Sequence, residues 1–503
     1  MAFHSFQFVL GALPLLLAGF LVAFRIGGWP AAFRYLAVAS LAFYAQFGFA
    51  LLAILVISVT ANYMAGELIR RLADRRHVAS FVLLAAIIAN VGALGYFKYS
   101  NFLIDIANGV FGAGFSHAKL LLPIGISFYT FIQIGYLIEM FAGRVERAGF
   151  ANYVLFSTFF PCVTAGPLVM QAEVFGQLKD RRDSAFDAER IAVGVTLVSI
   201  GLFKKVVLAD SIAPFADALF DGVGAGQGVT ALTAWVGAIA YTLQLYFDFS
   251  GYSDMAIGLG CMFGLRLPLN FASPFKATSI SEFWRRWHVT MTRFFTTYVY
   301  TPIAMKGMRW ALGTRQGPLV RTIVAGGVPA IITFLVAGIW HGAGWTFVVY
   351  GLIHGTAIAV NLLWRDLGPF RIPAFAGWLL TMAVVISALV VFRAPDLATA
   401  TTILGVMWSG GTSTVVNGFV ALDMRMALAL IVLLSAIVLL MPNSQQILSH
   451  YWVSSDPKPA DAETEAGLLV WRPTLGPAVA TACVSVAAIA SIGATSTFLY
   501  YQF

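Results

Sequence analysis

The chain has 503 residues, 59% of them hydrophobic and 11% charged, with a mean hydropathy of +0.83; soluble globular chains carry roughly 25% charged residues. That composition excludes a soluble protein and indicates an all-α polytopic membrane protein, read as a single integral membrane domain over residues 1–503. Lys and Arg outnumber Asp and Glu by 31 to 23; with no RNP, zinc-finger or helix-turn-helix pattern present, we read the surplus as loop charge facing membrane lipids and expect no nucleic-acid partner.

From the N-terminus, Met1–Phe24 is apolar without a basic start, and Arg25 follows the apolar run. This charge order predicts an uncleaved first span with its N-terminus outside and Arg25 inside. Further apolar segments recur near 35–65, 78–97, 119–141, 152–170, 191–208, 229–247, 253–265, 322–340, 343–364, 374–392, 424–441 and 474–500. Several are short or broken by Gly and Pro, so about ten to twelve membrane segments are expected, some of them re-entrant. Cys162, Cys261 and Cys483 lie far apart in apolar surroundings and read as small buried hydrophobes.

Basic clusters at Arg70–Arg76, Lys179–Arg190 and Lys276–Arg321 point to the cytoplasm. The third holds eight Lys or Arg against one acid, Glu282, in 46 residues; such a lip suits lipid headgroups, a phosphate-bearing donor or an acidic carrier protein. The polar stretch Pro442–Glu465 reads as a solvent-exposed loop before a last span.

Five stretches have residues suited to chemistry. Pro123–Gln133, with Ser127, Tyr129 and Gln133, and Phe159–Pro167 break their helices with Pro and Gly, as a cavity wall would; a kink is the plainer reading. Asp248 follows an uncharged run from Gly222, so it needs a partner, an Arg or a His; Asp254, six residues on, reads as a helix cap. Ser279–Arg293 opens with a capping box, Ser279 and Glu282, predicting a helix on which Trp284 and His288 share a face and Glu282 pairs with Arg286. An interfacial helix is its plainer reading; its functional one turns His288 into a pocket. Lastly, Phe334–Trp345 holds Trp340 and His341 inside the 43 residues Thr322–Trp364, which contain no Lys, Arg, Asp or Glu. A histidine at membrane depth is a functional hypothesis by default. His354, later in the same run, reads as a satisfied structural histidine. No Gly-x-Ser-x-Gly elbow, His-Glu-x-x-His metal site or P-loop occurs. A histidine without an evident nucleophile fits general-base catalysis.

The blocks Phe283–His288 and Gly338–Gly342, with Gly95–Tyr99, Pro123–Phe131, Ala165–Pro167, Gly201–Lys205, Tyr246–Asp254 and Pro268–Phe271, resemble the membrane-bound O-acyltransferase (MBOAT) family, most closely its alginate-acetylating branch. The resemblance covers about residues 1–395; beyond it, over 396–503, only the hydrophobic outline matches. It implies a ring of membrane and re-entrant helices around a central tunnel, with His341 and His288 as the catalytic histidines. It also implies a cytoplasmic thioester donor, acetyl-CoA or a related one, no bound cofactor, a polysaccharide acceptor, a periplasmic partner of the SGNH hydrolase type and a place in the bacterial inner membrane. A related branch transfers D-alanine from a carrier protein toward teichoic acids. The sequence departs from the family pattern at Cys162-Val163, where a His-Leu pair is expected, and at Glu139, where Asp is usual.

The leading reading is therefore a membrane O-acetyltransferase, His341 its base and His288 positioning substrate. Trp340, Trp284, Asp248, Ser127, Tyr129 and Gln133 are candidates to line the tunnel, and Lys276, Arg285, Arg286 and Arg293 to face the donor. A transporter whose histidines relay protons and a docking scaffold for a periplasmic acetylase stand as rivals.

Overall fold

The apolar segments fold as helices. We describe a computed structural model of the chain over residues 3–179, 181, 186–413, 418–451, 453–457, 467–493 and 498–499; Arg182 and the acidic end of the polar stretch, 458–466, lie outside the described residues. Among the described residues there are no strands, only isolated bridges such as Phe271 with Trp287.

Among the described residues seven helices are long and apolar enough to cross a membrane. The first three, α1 (Gln7–Ala45), α2 (Phe49–Arg71) and α3 (Arg76–Phe111), follow in succession. The expected break between segments 6–24 and 35–65 falls elsewhere: α1 runs through Arg25, kinks at Gly27 and Gly28, and ends at Ala45. After the shorter α4 (Ile126–Phe141) comes α5 (Ala188–Gly224).

The next helix, α6 (Ala231–Met262), is the core of the molecule, buried at every residue from Ala240 to Met262. A helix apolar on all sides belongs inside, and α6 packs along both halves of α5. The sequence divides this region at Asp248 into two segments, 229–247 and 253–265; it folds as one continuous helix because both of its carboxylates are neutralised from α5. A π-helical turn there, Lys204–Ala209, brings Lys205 Nζ to 2.7 Å from Asp248 and 2.9 Å from Asp210, and Lys204 Nζ to 2.7 Å from Asp254. Thus Asp248 pairs with a lysine rather than an Arg or His, and Asp254 is bound across the helix interface rather than capping a helix start.

Two short helices follow, α7 (Ile280–Arg286) and α8 (Val289–Phe295). The span α9 (Pro318–His341) and the span α10 (Trp345–Leu367) then form a hairpin within the uncharged run. Their backbones touch where Gly338 meets Gly351: a methyl on Gly338 would stand 2.4 Å from the Phe347 carbonyl, and one on Gly351 2.3 Å from that of Phe334. Small residues at a crossing allow this approach in membranes. The seventh span is α11 (Ala374–Arg393), followed by α12 (Leu397–Ser409), α13 (Met424–Leu440) and α14 (Leu475–Ala490).

The polar stretch after α13 is not an exposed loop over its described part. Ser444, Gln445, Ser449 and Ser454 are buried. Ser444 Oγ donates to Asp254 at 2.7 Å and Gln445 Nε2 at 3.2 Å, so this segment closes over α6. Cys162 and Cys261 are buried, but Cys483 is exposed on α14.

Candidate active site

The expected helix start at Ser279 is present: its Oγ accepts the Glu282 N–H at 3.2 Å. The Glu282 carboxylate bonds to Thr278 rather than back to Ser279, and pairs with Arg286 at 2.8 Å. Burial pushes the Glu282 carboxyl up, but the Thr278 bonds and the Arg286 guanidinium outweigh it and hold it below the usual carboxylate range.

The helix does not continue to Arg293. It stops at Arg286, Trp287 is extended, and His288 takes a left-handed conformation with φ 44° before α8 begins. A non-glycine residue with positive φ is strained and persists only where its surroundings fix it. Here Asn270 does so, its Oδ1 lying 3.2 Å from His288 Nδ1 and accepting from Thr290 Oγ1 at 2.7 Å. An amide oxygen only accepts, so this contact places the ring proton on Nδ1 and leaves Nε2 as the basic atom.

The break also separates Trp284 from His288. Trp284 Nε1 donates instead to Nδ1 of the buried His354, at 3.2 Å, and faces Phe334. His288 turns to Phe249 and to Trp340, with ring centroids 4.8 and 6.2 Å away.

His341 is the last residue of α9, and the chain then leaves in extended form at Gly342. Its ring packs against Trp340, Phe392 and Tyr350 at 4.9, 5.3 and 5.9 Å, within electrostatic reach of His288, Lys98 and His354. A cavity of about 230 Å³ opens beside it, lined by Trp340, Lys98, Leu122–Phe128 and Thr164. Trp340 is itself held by aromatic rings: Phe131 stacks on it at 5.4 Å and Phe128 meets it edge-on at 5.6 Å. Trp340 packs against both imidazoles, and of the two histidines, which lie within electrostatic reach of each other, only His341 lines the cavity.

Of the other tunnel candidates, Ser127 lines the cavity. Tyr129 and Gln133 are buried in helix packing, Gln133 accepting from Ser58 on α2 at 3.4 Å. Asp248 is committed to Lys205 and to the Leu499 N–H. Just after His341 the backbone is tightly covered: a methyl on Gly342 would lie 2.1 Å from the Phe347 ring.

Of the four candidate donor-side cations, three are engaged. Lys276 donates to the Met441 carbonyl, Arg286 to Glu282 and the Ala272 carbonyl, and Arg293 joins Glu173 at 2.6 Å to Asp456 at 3.1 Å. Burial holds the Glu173 carboxyl above its ordinary range despite Arg293. Arg285 is exposed with no polar partner among the described residues.

Three residues outside the sequence candidates shape the site. Asn270 fixes His288; Thr164, on the cavity wall, bonds to the Tyr252 hydroxyl at 2.7 Å. Lys98 reaches α9 from a π-helical turn of α3, donating to the carbonyls of Trp340 and His341. A signal for Lys98 exists in the sequence: between Arg76 and Asp105 it is the sole Lys, Arg, Asp or Glu. Ending the apolar segment at residue 97 set it aside, whereas the helix runs on to Phe111.

Residues 138–401, which include His288 and His341, match the model of the membrane-bound O-acyltransferase family. The chain is 37% identical to a peptidoglycan O-acetyltransferase of Helicobacter pylori over 75% of this chain and 74% of that protein. It is 33% identical to a probable alginate O-acetylase of Azotobacter vinelandii over 100% of both, so similarity extends past residue 395 to the whole length. A teichoic acid D-alanyltransferase of Streptococcus thermophilus is 28% identical over 49% of this chain and 58% of its own. Spanning helices, a buried histidine at a cavity and these relatives together make the chain a multi-pass membrane acyltransferase that belongs to the MBOAT family.

Proposed function

We propose that the protein acetylates hydroxyl groups of an exported cell-surface polysaccharide such as alginate, taking the acetyl group from acetyl-CoA or another cytoplasmic acyl thioester. The observation that carries this reading is the placement of His341: buried at a helix end, beside a cavity that also presents Ser127, Thr164 and Lys98. The imidazole takes the proton of the acceptor hydroxyl as its oxygen bonds to the thioester carbonyl carbon. The resulting tetrahedral intermediate collapses, the carbon–sulfur bond breaks, and the leaving thiolate takes the proton back from the imidazolium. Acetyl is favoured over D-alanyl because the acetyl-transferring relatives align with far more of the chain. His288, held by Asn270 and packed on Trp340, positions the wall of the site.

The positive clusters support a donor side at the cytoplasm, where Arg285 would offer a charge to a phosphate-bearing donor or an acidic carrier. The acetyl group leaves on the far side of the bacterial inner membrane, to polymer or to a periplasmic SGNH-type acetyltransferase that completes the transfer. General-base assistance is worth about 10² to 10⁴ in rate. Polymer acetylation in cells carrying His341→Ala should therefore fall by at least about 10², with the protein still in the membrane. Normal acetylation at wild-type protein levels would overturn the reading, and vesicle uptake without acyl transfer would mark a transporter instead.

A further inference from the structure

We propose that Lys98 is a positioning residue for the transfer, holding the end of α9 from which His341 projects; this inference rests on His341 acting as the base. The last four carbonyls of a helix have no partner within it. In α9 three of them are met from a single neighbouring turn. Tyr99 Oη donates to Ile339 O at 2.7 Å, and Lys98 Nζ donates to Trp340 O at 2.6 Å and His341 O at 2.9 Å. A cation is the favoured group there, since the helix end carries partial negative charge. The same ammonium lines the cavity beside the imidazole, so it lies at the site as well as under it.

The arrangement fits the position of α9 in the chain. His341 is followed by an extended Gly342 with no helical residue beyond it to hold the last turn. A lysine is a costly residue inside a span, and one kept there is normally paired or functional. The π-helical turn Gly95–Tyr99 explains how neighbouring residues 98 and 99 both reach one helix end, because the wider turn places consecutive side chains differently from an α-helix. Without the ammonium the two carbonyls lose their donor and the last turn frays. The imidazole then moves by a fraction of its working distance, while the route by which the donor enters is unaffected. Misplacement of about 1 Å costs roughly 10²-fold in rate.

The test measures transfer from acetyl-CoA to alginate oligosaccharide by the purified full chain in lipid vesicles, with turnover expressed per folded molecule from the monodisperse fraction. Lys98→Met should lower kcat by roughly 10²-fold, with KM for acetyl-CoA within about twofold of wild type. Lys98→Gln, too short to reach both carbonyls, carries the same expectation and serves where Lys98→Met does not accumulate. Wild-type kcat per folded molecule in either variant, with only the melting temperature lowered, would reduce Lys98 to a structural lysine and overturn the proposal. A drop confined to KM would overturn it as well. His341→Ala run in parallel separates the two claims: activity retained there removes the base itself, whereas activity lost there but kept in Lys98→Met removes only the positioning role.

Discussion

Replacing Asn270 by Ala removes the acceptor that holds His288 in its left-handed turn. The Asn270 Oδ1 serves three buried donors, His288 Nδ1–H, Thr290 Oγ1–H and, at 3.4 Å, the Thr290 backbone N–H, and its Nδ2 donates to Ser253 Oγ at 3.3 Å. Each buried donor left without an acceptor costs about 1–3 kcal/mol. The strained φ of His288, no longer paid back, relaxes toward helix and recovers about 1 kcal/mol. For the two side-chain donors alone the net loss is about 1–5 kcal/mol of stability. Thr290→Ser keeps both hydrogen bonds of that side chain and loses one methyl, about 0.8 kcal/mol. Melting of the purified proteins in one detergent gives the stability ranking, and acetyl transfer per folded molecule gives the function. Asn270→Ala should melt clearly below Thr290→Ser and lose roughly 10²-fold in turnover as Trp340 loses its fixed neighbour. An Asn270→Ala protein as stable and active as wild type would refute the claim that this amide sets the His288 turn.

Lys205→Met leaves the buried Asp248 without its cation and should cost about 3–5 kcal/mol, while Asp248→Asn costs less because Lys205 keeps Asp210; a double-mutant cycle by chemical unfolding checks this through its coupling energy, and additive losses would exclude the pairing. Gly342→Ala drives a methyl into the Phe347 ring, which packs on the same Phe392 that His341 touches. Overpacking of this kind costs about 1–3 kcal/mol, and turnover should fall with it; a crystal-quality Gly342→Ala protein at full activity would show that the ring has room to move.

How much was legible in the sequence depended on whether the signal was local. His341 could be found because 43 residues without Lys, Arg, Asp or Glu surround it. Ser279 could be read as a helix start because a capping box is a matter of four consecutive positions, here Ser279 to Glu282. The turn at His288 had no such mark: Trp284 and His288 sit four apart as helix neighbours should, and what breaks the helix is Asn270, 18 residues earlier. The continuity of α6 was hidden for the same reason, since a carboxylate in an apolar run looks like a boundary until its lysine is located on another helix. Gly342 is a case of the same kind: glycine signals close approach without saying by what, and only the fold shows the neighbour to be Phe347.

The closure of α6 by the last part of the chain also sets an order in time. Lys204 and Lys205 are made before Asp248 and Asp254, so the charges are matched as soon as α6 is inserted. Ser444, which completes the shell of Asp254, lies 190 residues further on, and Leu499 follows Asp248 by 251. At about 5–20 residues per second the first of these arrives roughly 10–40 s later. Through that interval the central helix waits in the membrane with its ion pairs formed and one flank uncovered, a vulnerable intermediate that a chain released before residue 444 could never leave.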